Sequence, residues 1–375
     1  MRITSVEAIP LWAAFADAFG SADQVPESLA RPAFGMRKTP LGGQGGVIVR
    51  ITTDAGGVGI GESMGRPGAR GMAALINDVL APMLIGEDPR HVRVHYEAMA
   101  EELRFAPMAL SGVDIALWDL RARANGESLT QALGGAFRST IDCYASPVPF
   151  HALPEDSAQA AQEFTAQGFT ALKLKIGRGV ETDLEHVAAI RGGIPPETRL
   201  LVDANGAYNV SEAIRLARRL VALDVYWLEE PVHPEYIDDL AAIRKRVDLP
   251  IASGEWLGSP YQFRDLIDAV DVVMPNITRC GGFTGFMRIA ELAHARNVRI
   301  APHGVGLGVG ITAALHASSS IPNFLIYEYN QLFNPLRHTI MNEALKMSGG
   351  ALQIPDGTGL GITLKTAALD RYRLV

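Results

Sequence analysis

Cysteine is scarce: Cys143 and Cys280 are the two in 375 residues, and each sits beside an apolar, strand-like run. A disulfide framework fits poorly, and a reduced, cytoplasmic setting is expected. Positive charge is also lacking. The formal net charge is −7 with no Lys/Arg cluster, so neither nucleic acid nor an anionic membrane is an expected partner. No apolar run approaches the roughly 18–20 residues of a membrane span. The N-terminus has one cation, Arg2, and its apolar run is broken by Pro10 and Asp17, a poor secretion signal. The run Gly42-Gly43-Gln44-Gly45-Gly46 lacks the Lys-Ser/Thr ending of a phosphate loop and leads into a strand instead of a helix.

What is present is ordinary globular material, 48% hydrophobic and 20% charged, enough core for one large or two ordinary domains. Residues 3–11, 47–53 and 58–62 alternate as antiparallel strands, with Asp54-Ala55-Gly56-Gly57 as a turn. Helical spacing follows over 69–80, 92–103 and 108–124. Residues 1–125 are thus expected to form an α+β unit. From about residue 140 the pattern changes. Strands are predicted at 141–145, 169–176, 199–203, 225–229, 250–254, 272–275, 298–301 and 324–327. Helices are predicted at 155–167, 181–192, 211–222, 235–247, 260–269, 283–296 and 308–319. This alternation at about 25-residue spacing is the signature of a β/α barrel. The barrel is assigned to 126–345, and 346–375 is expected to return to the first unit.

Barrel chemistry sits at the C-terminal ends of strands. Those ends read Ser146, Lys173/Lys175, Asp203, Glu229, Glu255, Asn276, His303 and Glu328. Asp203, Glu229 and Glu255 recur 26 residues apart, on consecutive strands. Each acid alone would serve as a salt bridge or helix cap. Together at neighbouring strand ends they repel unless a cation neutralises them, and all-oxygen ligands favour Mg²⁺ over Zn²⁺. In Leu172-Lys173-Leu174-Lys175-Ile176 the lysines share one face. They are either edge protection in a solvated strand or the partners of something negative. Beside a dication and each other their pKa would fall, which suits a base. His303, across the barrel, is a second acid/base candidate. Glu328 in Tyr327-Glu328-Tyr329 is either a site acid or rim packing. Gly304, Gly306, Gly308 and Gly310 read as close approach to a ligand, with phosphate the lesser option.

These residues resemble the enolase superfamily, in its mandelate racemase subgroup, nearly end to end. Leu172-Lys173-Leu174-Lys175-Ile176-Gly177 is similar to the family's Lys-x-Lys motif. Val202-Asp203-Ala204-Asn205, Leu228-Glu229-Glu230-Pro231 and Ser253-Gly254-Glu255 resemble its metal-ligand motifs, and Ile300-Ala301-Pro302-His303 its catalytic histidine. The resemblance implies a (β/α)7β TIM barrel under an α+β capping domain. It implies Mg²⁺ on Asp203, Glu229 and Glu255, and Lys173 with the cation on a substrate carboxylate. Lys175 is implied as the α-proton base, His303 on the opposite face, and Glu328 as hydrogen bonder to the carboxylate. It also implies a homo-oligomer. Asn205, Asn276, Ser146, Ser63 and Arg37 are carried as substrate contacts, with Arg66 beside them; Ser63, Arg37 and Arg66 equally suit a surface role.

One departure matters. Asn276, in Met274-Pro275-Asn276-Ile277-Thr278-Arg279, stands where the subgroup usually has an aspartate behind the histidine. Without that charge His303 is expected to be a weaker base. Water elimination from an acid sugar, or cycloisomerisation of its lactone, is therefore expected ahead of racemisation. A racemase or epimerase of a hydroxy- or amino-acid derivative, and a non-catalytic carboxylate binder, are the alternatives.

Overall fold

The structure is a computed structural model that describes residues 1–26, 29, 41–66, 68–104 and 106–374. Its first unit is a three-stranded antiparallel sheet: β1 (Ile3–Ala14), β2 (Gly43–Thr53) and β3 (Val58–Met64), in that order. The helix Met108–Asn125 lies on this sheet and is buried along most of its length.

The second unit is the barrel. Its strands are β4 (Thr140–Val148), β5 (Ala171–Lys175), β6 (Arg199–Asp203), β7 (Val225–Glu229), β8 (Ile251–Ser253), β9 (Val272–Val273), β10 (Arg299–Ile300) and β11 (Tyr327–Asn330). Strands β4 to β10 pair in sequence order, all parallel. Seven helices alternate with them, and β11 closes the ring, giving the (β/α)7β architecture. The eighth strand lies three residues beyond its expected start. Phe324 bridges Ile300 of β10, whereas regular pairing with β4 begins at Tyr327 opposite Cys143. The strand thus hands over from one neighbour to the other along its length, as the stagger of a closed barrel requires.

Period-two alternation divides each barrel strand. In β5, Leu172 and Leu174 face outward into the main core, while Ala171, Lys173 and Lys175 face the axis. In β6 and β7 the axial residues are Leu201 then Asp203, and Trp227 then Glu229. The barrel therefore has an apolar floor, which includes Tyr144, Ala171, Leu201 and Trp227, beneath a polar top. Register sets the top side by side: Lys175 pairs with Asp203, and Asp203 with Glu229.

Buried carboxylates fasten the first unit to the barrel. Glu62 of β3 accepts from the backbone N–H groups of Leu307 (2.7 Å) and Gly310 (2.6 Å), at the start of helix Gly308–Ser319. Asp114 accepts from Thr284 N (2.9 Å) and Thr284 Oγ1 (2.6 Å), in the first turn of helix Gly282–Ala295. Neither helix has a side-chain cap of its own, so the neighbouring unit satisfies the orphan donors. The C-terminal segment divides its contacts. Ala351–Gln353 pairs antiparallel with the start of β4. Beyond helix Thr366–Tyr372, Leu374 N donates to Pro10 O (2.9 Å) and Arg373 to Glu7 (2.6 Å) on β1.

Candidate active site

A cavity of about 690 Å³ opens above the barrel's polar top. Lys175, Asn205, Glu230, Glu255, His303 and Glu328 come to its wall from the barrel, and Gln44, Met64, Arg66 and Met108 from the first unit. Both units therefore build the site.

The lysines are not a solvated edge pair. Both are buried. Lys173 Nζ lies 2.8 Å from Glu229, 3.2 Å from Glu328 and 3.5 Å from Asp203, with the Tyr144 ring 5.3 Å away. It is fully buried beneath the wall, a counter-ion to the acids. Lys175 Nζ, on the wall, is 2.5 Å from Asp203 Oδ2. Burial disfavours charge on either lysine, but the acids outweigh it: Glu229 and Glu328 raise the Lys173 pKa, and Asp203 and Glu255 raise that of Lys175. With no cation among these acids, their pull on Lys175 also exceeds the opposing effect of Lys173.

Asp203, Glu229 and Glu255 bring one oxygen each within 4.8 Å of the others. Burial, then the nearby Asp203, pushes the Glu229 carboxyl well up. Both oxygens of Glu230, one of Glu255 (Oε2) and Oδ1 of Asn205 are buried and accept no hydrogen bond. Buried carboxylate oxygens without donors are costly. Converging hard oxygens short of positive charge are what a divalent cation needs, so the residues fit Mg²⁺.

His303 Nε2 stands 3.2 Å from Glu255 Oε2 and 3.6 Å from Glu328 Oε2. Burial lowers its pKa, against the pull of these two acids. Burial alone would raise the Glu328 pKa, but Lys173 and then His303 hold it well below the usual carboxylate range. Gly304 N donates to Glu328 Oε2 (3.1 Å). A Cβ on Gly304 would lie 1.7 Å from Glu328 O, and one on Gly310 would lie 2.9 Å from Glu62 Oε1. The expected approach of these glycines to a ligand is corrected: at these two positions the close neighbour is the protein itself, and Gly306 alone of the four is on the cavity wall.

The other expected contacts divide. Asn205 reaches the wall at φ 44°, and its N–H donates to Asp203 Oδ1 (2.8 Å). Asn276 is not on the wall; it stands behind His303, Nδ2 to Nδ1 2.9 Å. Ser146 is fully buried and does not reach the cavity wall. Ser63 is turned away: it accepts from Gly112 N (2.8 Å) and donates to Ala109 O (3.3 Å), locking β3 to helix Met108–Asn125. Alternation explains this, since Glu62 and Met64 take the barrel-facing side. Arg37 lies outside the described residues. Sequence reasoning missed Glu230, Arg279 and Arg337, all on the wall. Glu230 had a signal, the second acid of Glu229-Glu230-Pro231. It sits at φ 40°, where a non-glycine residue persists only if its surroundings enforce it.

Residues 23–134 match the mandelate racemase / muconate lactonizing enzyme N-terminal domain, and 156–368 match the enolase C-terminal domain-like family. The D-galactarolactone cycloisomerase of Agrobacterium fabrum is 39% identical over 347 residues, covering 88% of this chain and 91% of that protein. The L-talarate/galactarate dehydratase of Salmonella typhimurium is 32% identical, covering 88% and 83%. The crystal structure of the 3,6-anhydro-D-galactonate cycloisomerase from Zobellia galactanivorans superposes with a TM-score of 0.86 over 100% of both chains at 31% identity. The chain is an enolase-superfamily lyase or isomerase and belongs to the mandelate racemase/muconate lactonizing enzyme family.

Proposed function

We propose that this enzyme abstracts the proton α to the carboxylate of an acid sugar or its lactone and carries the resulting enediolate on to dehydration or cycloisomerisation. The observation that carries the reading is one cavity wall bearing Lys175, with Asp203, Glu229 and Glu255 grouped beside it and His303 facing them. Asp203, Glu229 and Glu255 would hold Mg²⁺, which supplies positive charge where the dianion develops as the α-proton leaves. Lys175 takes that proton. It can do so only when neutral, and sharing of the Asp203 charge is what releases it from its present raised pKa. Lys173 holds Glu229 and Glu328 in place from below. Glu328 and His303 border the opposite side of the substrate, and Arg66, Gln44 and Met64 complete the cavity from the capping unit. The relatives named above act on sugar acids or lactones by their names, which supports that substrate class here. The two buried free cysteines suit a reducing cytoplasm.

A racemase or epimerase is the second reading, because His303 faces Lys175 across the cavity. Asn276 weighs against it, since a second base has no anionic partner there. Incubation in D₂O with Mg²⁺ and a library of acid sugars and lactones separates the two. A lyase or cycloisomerase yields keto-acid product, and a racemase returns α-deuterated substrate. No exchange with any acid rejects both.

A further inference from the structure

The stretch from His303 to Gly310 has glycine at every second position: Gly304, Gly306, Gly308 and Gly310. Such a chain has little conformational preference of its own, so the place of His303 depends on what ties the stretch down. Some ties come from the barrel. His303 N donates to Pro275 O (3.2 Å), Gly304 N to Glu328 Oε2 (3.1 Å), and Asn334 Nδ2 to Gly306 O (3.2 Å). Asn276 holds the ring from behind. Its Nδ2 lies 2.9 Å from His303 Nδ1 and donates to Val305 O (2.9 Å). Its Oδ1 accepts from Thr278 N (2.9 Å) and Thr278 Oγ1 (2.7 Å).

Further ties come from β3, in the other unit. Glu62 takes the Leu307 N–H on one oxygen and the Gly310 N–H on the other. Two residues on, Met64 N donates to Thr278 O (2.8 Å). The end of β3 therefore grips both the segment that carries His303 and the segment that carries Asn276. The fit is close. A Cβ on Gly310 would lie 2.5 Å from Thr278 Cγ2, and one on Gly306 would lie 3.2 Å from Glu62 Oε1. Glu62 itself is buried and is not on the cavity wall.

We infer that Glu62, a residue of the capping unit, is a positioning residue for the barrel's His303. This rests on the place given to His303 in the reaction proposed above. The path is short. Glu62 fixes the start of helix Gly308–Ser319, the helix start fixes Val305, and Val305 with Thr278 fixes Asn276 against the imidazole. Groups that meet a reacting centre must be held to within roughly 0.5 Å of their productive geometry by such supports. A carboxylate suits the task, because both its oxygens accept and a helix start favours negative charge. Glutamine in its place keeps the size but turns an NH₂ toward one of the two N–H donors, so one tie is lost.

The test compares Glu62→Gln with Asp114→Asn, which weakens the other seam acceptor, on Thr284. The Mg²⁺-loaded enzyme is labelled with ¹⁵N-histidine, and His303→Gln assigns the signal among nine histidines. Glu62→Gln should move or broaden the His303 ring signals, and Asp114→Asn should leave them in place. Unmoved signals in Glu62→Gln, or equal changes in both variants, overturn the inference. Turnover of an acid sugar or lactone that exchanges in D₂O gives a second reading. Glu62→Gln should lower kcat by about 10²-fold, as a misplacement of roughly 1 Å does, with KM little changed. It should cost nothing more in the His303→Gln background, since residues that act through one group are not additive. Losses that multiply overturn the inference, because Glu62 would then act elsewhere. Should Glu62→Gln not fold, Glu62→Asp keeps the charge and both oxygens but falls one methylene short, and the same readings decide. Absence of α-deuterium exchange with any acid rejects the α-proton reading itself, and the ring signals still decide whether Glu62 places His303.

Discussion

Two sets of buried carboxylates occupy this molecule, and they are treated differently. At the seam between the units, Glu62 and Asp114 each accept two hydrogen bonds from barrel residues. At the barrel top, Glu230 accepts none on either oxygen and Glu255 leaves one bare, while lysines press on Asp203 and Glu229. The seam is complete with protein alone. The top is not, and acids outnumber the lysines set among them. Satisfaction, more than burial, separates a structural acid from one that awaits a ligand.

That contrast can be broken most sharply at Lys175. Lys175→Ala should lower α-deuterium exchange by at least about 10³-fold, within the range for a lost general base, while the seam and the fold persist in circular dichroism. Retained exchange would move the base elsewhere. A smaller effect is expected from the cation. Mg²⁺ at about 100 times its Kd should stabilise the protein by about 2.7 kcal/mol against thermal unfolding. Asp203→Asn or Glu229→Gln should abolish that shift, and Glu62→Gln should leave it intact. A shift lost in Glu62→Gln would mean the two sets of acids are not separate.

Much of this was legible in the sequence, because parallel barrel strands impose a strict period. The expected bounds of β6 and β7 coincide with those observed, and the polar residues at strand ends converge because the barrel brings those ends together. Ser63 was misjudged because the sequence alone does not say which face of β3 meets the helix and which meets the barrel. Asn276 was recognised as a departure, yet the direction of its amide depends on Thr278 and Val305, and only folding sets those partners. The seam was not anticipated at all. Glu62 and Asp114 cap helices about 170 to 248 residues away in sequence, and no local pattern announces a cap supplied from another unit. The ion pairs of Lys173 with Glu229 and of Lys175 with Asp203 were not legible for a similar reason: those distances are properties of register and rotamer.

The smallest predicted effect tests the seam from the other side. Burial, exceeding the help of the Leu307 and Gly310 N–H groups, raises the Glu62 pKa from 4.5 to about 7. Burial, exceeding the Thr284 bonds, raises that of Asp114 from 3.8 to about 7. An acid raised in the folded state keeps its proton while the unfolded chain has already lost it. Between about pH 4.5 and 7 the native state therefore binds more protons, and stability falls as pH rises. The slope should approach about 1.4 kcal/mol per pH unit for each group, flattening above pH 7 once both states are ionised. Urea unfolding at pH 5.5 and 6.5 reads it directly. Glu62→Gln should remove one group's share of the slope even though it costs about 1–3 kcal/mol overall through the lost acceptor. A slope unchanged in that variant would mean Glu62 is already ionised at the helix start, and the seam would then be held by charge in the same way as the barrel top.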